Sequence, residues 1–324
     1  MQALNQSQSR QANPVPQRLW LIGGWTATVL FLRGVELPWL NTVFPIRRLE
    51  LEMQSIFTRL REGGSGIFAG TTPPAEIVIL AVDNESLNLE SILFPEDYQA
   101  APILELMRAW PWPRQVHADA TQLLLDAGAK AVIFDIIFST QSAYGPEDDA
   151  QFRAVLEQAG SRVVLGAQYS QTGADQPQGA ITTTLILPND SVRGLQTGLG
   201  LVNVDLDSAD DRAYRLTAGL PTPQELQIAT TEDLATLPSL AEAALLAAGN
   251  PLPPPQRLSA NAWTYFYRPN GFPVIPYYEL MVPQLRQTNL QDGSVFKDKI
   301  VVIGATAETL QDFELTPLGR LSGP

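Results

Sequence analysis

The chain has 324 residues with 21 Lys+Arg against 34 Asp+Glu, and the resulting net charge of −13 works against binding to nucleic acid. Hydrophobic residues reach 45% and charged residues only 17%, enough apolar side chain to fill a core and too little charge for a disordered polyampholyte. With no cysteine, disulfides, thiolate zinc sites and a cysteine nucleophile are excluded.

The charge is unevenly divided: Met1 to Glu62 carries seven arginines and four glutamates, a balance of +3 that leaves −16 for the remainder. Within that basic opening, Leu19 to Leu32 (LWLIGGWTATVLFL) is uncharged. It is shorter than the roughly 18–20 residues that cross a bilayer, so the expected span runs on to Leu40, with Arg33 and Glu36 in its far interface. Trp20, Trp25 and Trp39 suit interfacial positions. Arg10 and Arg18 could also lead in a cleaved signal peptide, but no convincing small-x-small site follows Leu32. The same arginines favour an inside N-terminus, whereas Arg33, Arg47 and Arg48 on the other side leave the charge rule undecided.

Leu49, Met53, Ile56 and Leu60 then recur at helical spacing beside alternating charge, which predicts an amphipathic stalk helix stopped by the glycines of Gly63–Gly66. From Ala75 the segments alternate. Glu76–Asp83 and Lys130–Phe138 read as buried strands, and Arg162–Tyr169 as a third. Between them lie helix patterns over Arg114–Asp126, ended by Gly128, and over Pro146–Ala159. Strands apolar along their whole length require cover on both faces, so a mostly parallel α/β sheet is expected. Further on, Gly198–Asp207 and Ala213–Leu220 read as an antiparallel hairpin around SADDR, Leu237–Asn250 as a helix, and Trp263–Pro269 and Lys299–Ala305 as strands.

In open parallel sheets ligands gather outside the carboxyl ends of strands, and Asp83, Asp135 and the Gly304–Ala305 turn fall at such ends. Aspartates there also cap helices or tie down loops, so their convergence is what would argue for a site. The single histidine, His117, cannot build a histidine-rich metal site. Asp205, Asp207, Asp210 and Asp211 cluster without the glycine and glutamate of an EF-hand loop, and a solvated turn pairing with Arg212 and Arg215 explains them. No nucleophile elbow, HExxH helix or phosphate-binding loop occurs.

Five blocks in order carry a resemblance: IVILAVDNESL, then WPWPRQVHADATQLLLDAGAKAVIFDIIF, LGLVNVDLDSADDRAYRL, LPSLAEAAL and KDKIVVIGATAETLQDFELTP. Together they resemble the second class of CHASE domains, bacterial extracytoplasmic sensors coupled to adenylate cyclases, histidine kinases and serine/threonine kinases. The resemblance covers Leu49 to about Pro317. It implies a fold of α/β class with a mostly parallel sheet covered by helices, an antiparallel hairpin addition, and a transmembrane and a stalk helix in front. It marks Asp83, Ser86, Trp112, Arg114, Asp135, Asp205, Arg212 and Asp312 as candidate ligand-binding residues. Two positions depart from the family pattern. Gln54 and Ser55 precede Arg59 where an aspartate is usual, and Ser208–Asp211 replaces the glycine expected after the aspartate pair.

The resulting expectation is a cytoplasmic tail (1–18), a transmembrane anchor (19–40), a stalk and linker (41–74), a sensor domain (75–317) and a short tail (318–324), with no output domain in the sequence. Such a chain would sit single-pass in the inner membrane with its globular part in the periplasm. It would bind an unknown small ligand or periplasmic partner and pair with a second copy through the stalk, with no cofactor, metal or catalysis. A scaffold or dimerisation module, or an anchored periplasmic enzyme using clustered carboxylates, are the competing readings.

Overall fold

The computed structural model describes residues 46–63, 72–172, 182–204, 206–207, 210–214, 237–251, 264–268 and 271–323. The chain divides into two units, Met1–Phe57 and Thr58–Pro324. Helix α1 (Ile46–Gly63) begins in the first and ends in the second. The apolar run expected to cross a membrane, 19–40, lies outside the described residues; among those described, no helix is long and apolar enough to span one.

The second unit is built on a seven-stranded sheet of β1 (Ile77–Val82), β2 (Ala131–Phe134), β3 (Val163–Thr172), β4 (Thr182–Ile186), β5 (Gly198–Leu201), β8 (Val274–Pro276) and β9 (Ile300–Ala305). The order is β4-β3-β2-β9-β1-β8, with β5 also paired to β3, and β4 alone runs antiparallel to its neighbour. Three of the strands read from the sequence, Glu76–Asp83, Lys130–Phe138 and Lys299–Ala305, are adjacent at its centre as β1, β2 and β9, with β9 between β2 and β1. Alternate residues serve opposite faces, as strand geometry requires. Val78, Leu80, Val82, Val132, Phe134, Val301 and Ile303 join the main core, whereas Ala131, Ile133, Val164 and Ile300 form a smaller core with Ala243.

Helix α3 (Arg114–Asp126) follows a short α2 (Pro95–Ala100), and α4 (Pro146–Ala159) follows β2. The termination of α3 is legible in its sequence. Gly128 takes φ 86°, its N–H donates to Leu125 O, and the next N–H donates to Leu124 O, the paired bonds of a left-handed helix end. Helix α5 (Leu240–Ala247) covers the second face, started by a Ser239–Glu242 capping box. It approaches β5 so closely that a Cβ on Gly200 would lie 2.6 Å from Leu240 Cα.

Three expectations need correction. Gly198–Leu201 does not start an antiparallel hairpin but pairs in parallel with β3, with Gly200 admitting α5 against it; among the described residues the hairpin consists of β6 (Leu206–Asp207) and β7 (Arg212–Ala213). Of the expected strand at Trp263–Pro269, the described residues 264–268 lie outside any sheet, with the Tyr265 and Tyr267 rings packed at a tilt (4.8 Å between centroids) and Arg61 over the Tyr265 ring. Lys130–Phe138 is strand only through Phe134, since Phe138 turns into the main core. Two short helices, α6 (Tyr277–Met281) and α7 (Pro283–Thr288), lead to β9. After β9 comes a hairpin of β10 (Phe313–Thr316) and β11 (Gly319–Ser322), so ordered strand continues past residue 317.

Candidate functional site

The register of the central strands sets the site. Val82 pairs with Ala305 and Phe134 with Ile303, so Asp83 and Asp135 leave the sheet on either side of the end of β9. The Asp135 N–H donates to Ile303 O at 2.8 Å, and the Thr306 and Ala307 N–H groups both donate to Val82 O at 3.0 Å. The ends of β1 and β2 therefore flank the end of β9 at one edge of the sheet.

The side chains there differ in what they do. Asp83 Oδ1 accepts from Ser86 N (2.8 Å), and the buried Ser86 Oγ accepts from Tyr278 N (3.2 Å), which fastens the turn after β1 to α6. That is loop-tying work. Asp135 is different: its carboxyl has no hydrogen-bond partner among the described residues. Burial, with the charge of Asp312 added, pushes it up to about 7. Burial raises Asp312 as well, and Glu314 is raised by burial and then by Asp312. No cation acts on Asp135 or Asp312 among the described residues.

Trp112 and Arg114 belong to the scaffold beside this edge. Trp112 is 2% exposed, donates from Nε1 to Met107 O (2.9 Å) and packs against Tyr277 at 4.9 Å. Arg114 lies over the Phe138 ring, donates to Thr140 O (3.1 Å) and stands 3.5 Å from the fully buried Asp149. Its neighbour Asp148 accepts from the Arg114 and Gln115 N–H groups at 2.7 and 2.9 Å, meeting the unpaired donors at the start of α3 from the first turn of α4. Asp149 accepts from Ser142 N and Ser191 Oγ. In sequence, Asp148 and Asp149 read only as an acidic helix start; their reach across to α3 carries no periodic signal.

Arg212 pairs with Asp210 at 3.8 Å inside the small hairpin, as the solvated-turn reading expects, and Tyr214 donates to the same carboxylate (2.7 Å). Asp205 lies outside the described residues. His117 is buried among Phe134, Phe138, Phe152 and Tyr277, and burial holds its imidazole down to about 3, so it stays neutral. No cluster of His, Asp or Glu suited to a metal occurs among the described residues. A separate open groove of about 560 Å³ is lined by Leu93, Tyr98, Glu90, Glu105 and Arg108, but Arg108 is already spent on both glutamates.

An acidic carboxyl edge on a mostly parallel sheet, closed by a terminal hairpin, agrees with the block order in the sequence. The family model of the CHASE2 domain matches residues 25–324. The chain belongs to the CHASE2 family. CHASE2 domains are sensory extracellular domains, and a sensory input role follows for this one. No curated protein and no solved structure matches the chain significantly.

Proposed function

We propose that this CHASE2 chain is the periplasmic input domain of an inner-membrane bacterial receptor, anchored by residues 19–40. It recognises a small ligand or a partner segment at the carboxyl edge and passes the result along α1 to a cyclase or kinase. The observation that carries the reading is the Asp135 carboxyl, partly buried at the end of a central strand and without a partner among the described residues. Open parallel sheets receive ligands at this end, and a carboxyl kept unpaired is available to one.

Two further observations support the output half. Leu49, Ile56 and Leu60 stay 40%, 48% and 51% exposed, whereas Leu51, Ser55 and Thr58 form the buried face of α1. The exposed stripe repeats at the seven-residue spacing that packs one helix against a second copy. In this reading the chain performs no chemistry itself: its histidine is neutral in the core and bonded to Tyr277 (3.3 Å).

A reporter fused after Pro324 is expected to behave as exported; activity only as a cytoplasmic reporter would exclude the periplasmic placement. Purified chain screened against small polar metabolites is expected to yield a ligand that raises Tm. Saturation at 100 times Kd stabilises by about 2.7 kcal/mol, and Asp135→Ala should abolish the shift.

A further inference from the structure

We propose that the groove formed by α2 and the two short helical turns flanking it binds a small organic cation, an aliphatic diamine or a guanidinium compound, and that Arg108 occupies the cation's position in the unliganded chain. This goes beyond the carboxyl-edge reading and does not rest on it, since none of the groove's residues belongs to that edge.

The walls of the groove are set by the core. Glu90 lies in the turn Leu89–Ser91, and Glu105 and Arg108 lie in and just after a second turn, Pro102–Met107. Each of these charged residues follows a buried apolar one: Leu89 before Glu90, Leu104 before Glu105 and Met107 before Arg108. Leu93 N donates back to Leu89 O (2.8 Å), and Met107 O accepts from Trp112 Nε1 (2.9 Å), so both turns are fastened to the main core. Between them α2 presents Tyr98, and its start is fixed by Phe94 N donating to Asp97 Oδ2 (2.8 Å). The groove measures about 560 Å³, with Leu93 and Pro95 offering apolar wall to a short methylene chain. Walls held in advance reduce the ordering that binding would otherwise cost.

What Arg108 does there defines the chemistry of the occupant. Its guanidinium lies over the Tyr98 ring at 4.4 Å, donates from Nε and Nη2 to the two Glu105 carboxylate oxygens (2.5 and 3.2 Å), and donates from Nη1 to Glu90. An aromatic face with two carboxylates converging above it is a recognition set for an organic cation. All three charged side chains are exposed, and ion pairs of that kind are individually weak, so an incoming cation takes over Arg108's contacts at little cost. One arginine against two glutamates leaves the groove acidic, within a chain of net charge −13, which attracts cations and repels carboxylate ligands. Tyr98 is buried, and its hydroxyl has no partner among the described residues. A buried hydroxyl ordinarily has one, and an ammonium N–H supplies the donor that this oxygen lacks.

Titration calorimetry of the purified full chain with diaminobutane tests the site. Saturable binding is expected that weakens as NaCl is raised, with butylamine weaker and the neutral isostere butanediol silent. Arg108→Ala removes the resident competitor and should tighten the diamine by roughly three- to tenfold, the worth of one or two exposed ion pairs; Arg108→Gln serves as the second variant should the first not fold. Glu90→Gln and Glu105→Gln should each weaken binding and together abolish it, with the melting temperature close to that of the native chain because both side chains are exposed. Diamine binding that survives the double glutamate variant would be attraction to the acidic surface at large and would overturn the site. So would the absence of saturable binding in both the native chain and the Arg108 variants, weaker binding after Arg108 is removed, or tighter binding of succinate than of the diamine. Each of these results leaves the exported-reporter and carboxyl-edge tests standing.

Discussion

Asp135 and His117 titrate in overlapping ranges with opposite consequences. The Asp135 carboxyl sits at about 7 in the folded chain against an ordinary 3.8, so the folded state holds a proton that the unfolded state has released. Its contribution is full below about pH 4 and is lost as pH rises through 7. His117, held at about 3 against 6.5, contributes above 6.5 and loses that contribution as pH falls. The two partly cancel in the native chain, so the comparison with Asp135→Asn isolates the carboxyl. The variant is expected to be more stable at pH 8, by at most on the order of 4 kcal/mol, with the gap closing towards pH 4 in denaturant titrations. A constant gap would show that Asp135 is not displaced from its ordinary range. Arg114 poses a different question, because the family pattern marks it while the structure commits it to Asp149. Arg114→Ala would strand a fully buried carboxylate. It should cost roughly 3–5 kcal/mol in unfolding experiments; a loss below about 1 kcal/mol, typical of a surface pair, would free Arg114 for ligand. The strand-end position of Asp135 was legible because the apolar run stops there. The bond from Asp148 to α3 was not, since it joins residues thirty-four apart through a side chain.

Among the elements, continuous apolarity located the three central strands and placed them in one sheet, because an exposed face would have shown polar alternation. The same signal misjudged β5, whose Gly-Leu-Gly-Leu suits either an edge hairpin or a strand pressed by a helix; only the approach of α5 distinguishes them. It also overran β2, where apolar residues after Phe134 fill the core from a loop. Ile133 lies in the smaller core and is 1% exposed. Ile133→Asp should unfold the domain, since an unpaired buried charge costs several kcal/mol against a total stability of about 5–15. An almost unchanged melt would mean that α5 does not cover that face. For α1 the seven-residue stripe was readable, but not which face the chain itself buries. Leu51, Ser55 and Thr58 carry no hydrophobic period, yet they are the covered residues.

For the whole molecule, the account depends on α1 changing its arrangement when the carboxyl edge changes state. A ligand can shift such an equilibrium only through unequal affinity for its two states, so the helix must be measured with the edge occupied and empty. The most direct measurement is disulfide crosslinking across α1 in membranes, with Met53→Cys as the sole cysteine of the full chain, before and after addition of ligands from the thermal screen. Crosslinking is expected in the unliganded chain, with a yield that changes on ligand addition and no longer does so when Asp135→Ala is added. A crosslink that never forms, or whose yield is the same under all of these conditions, would contradict signalling through α1.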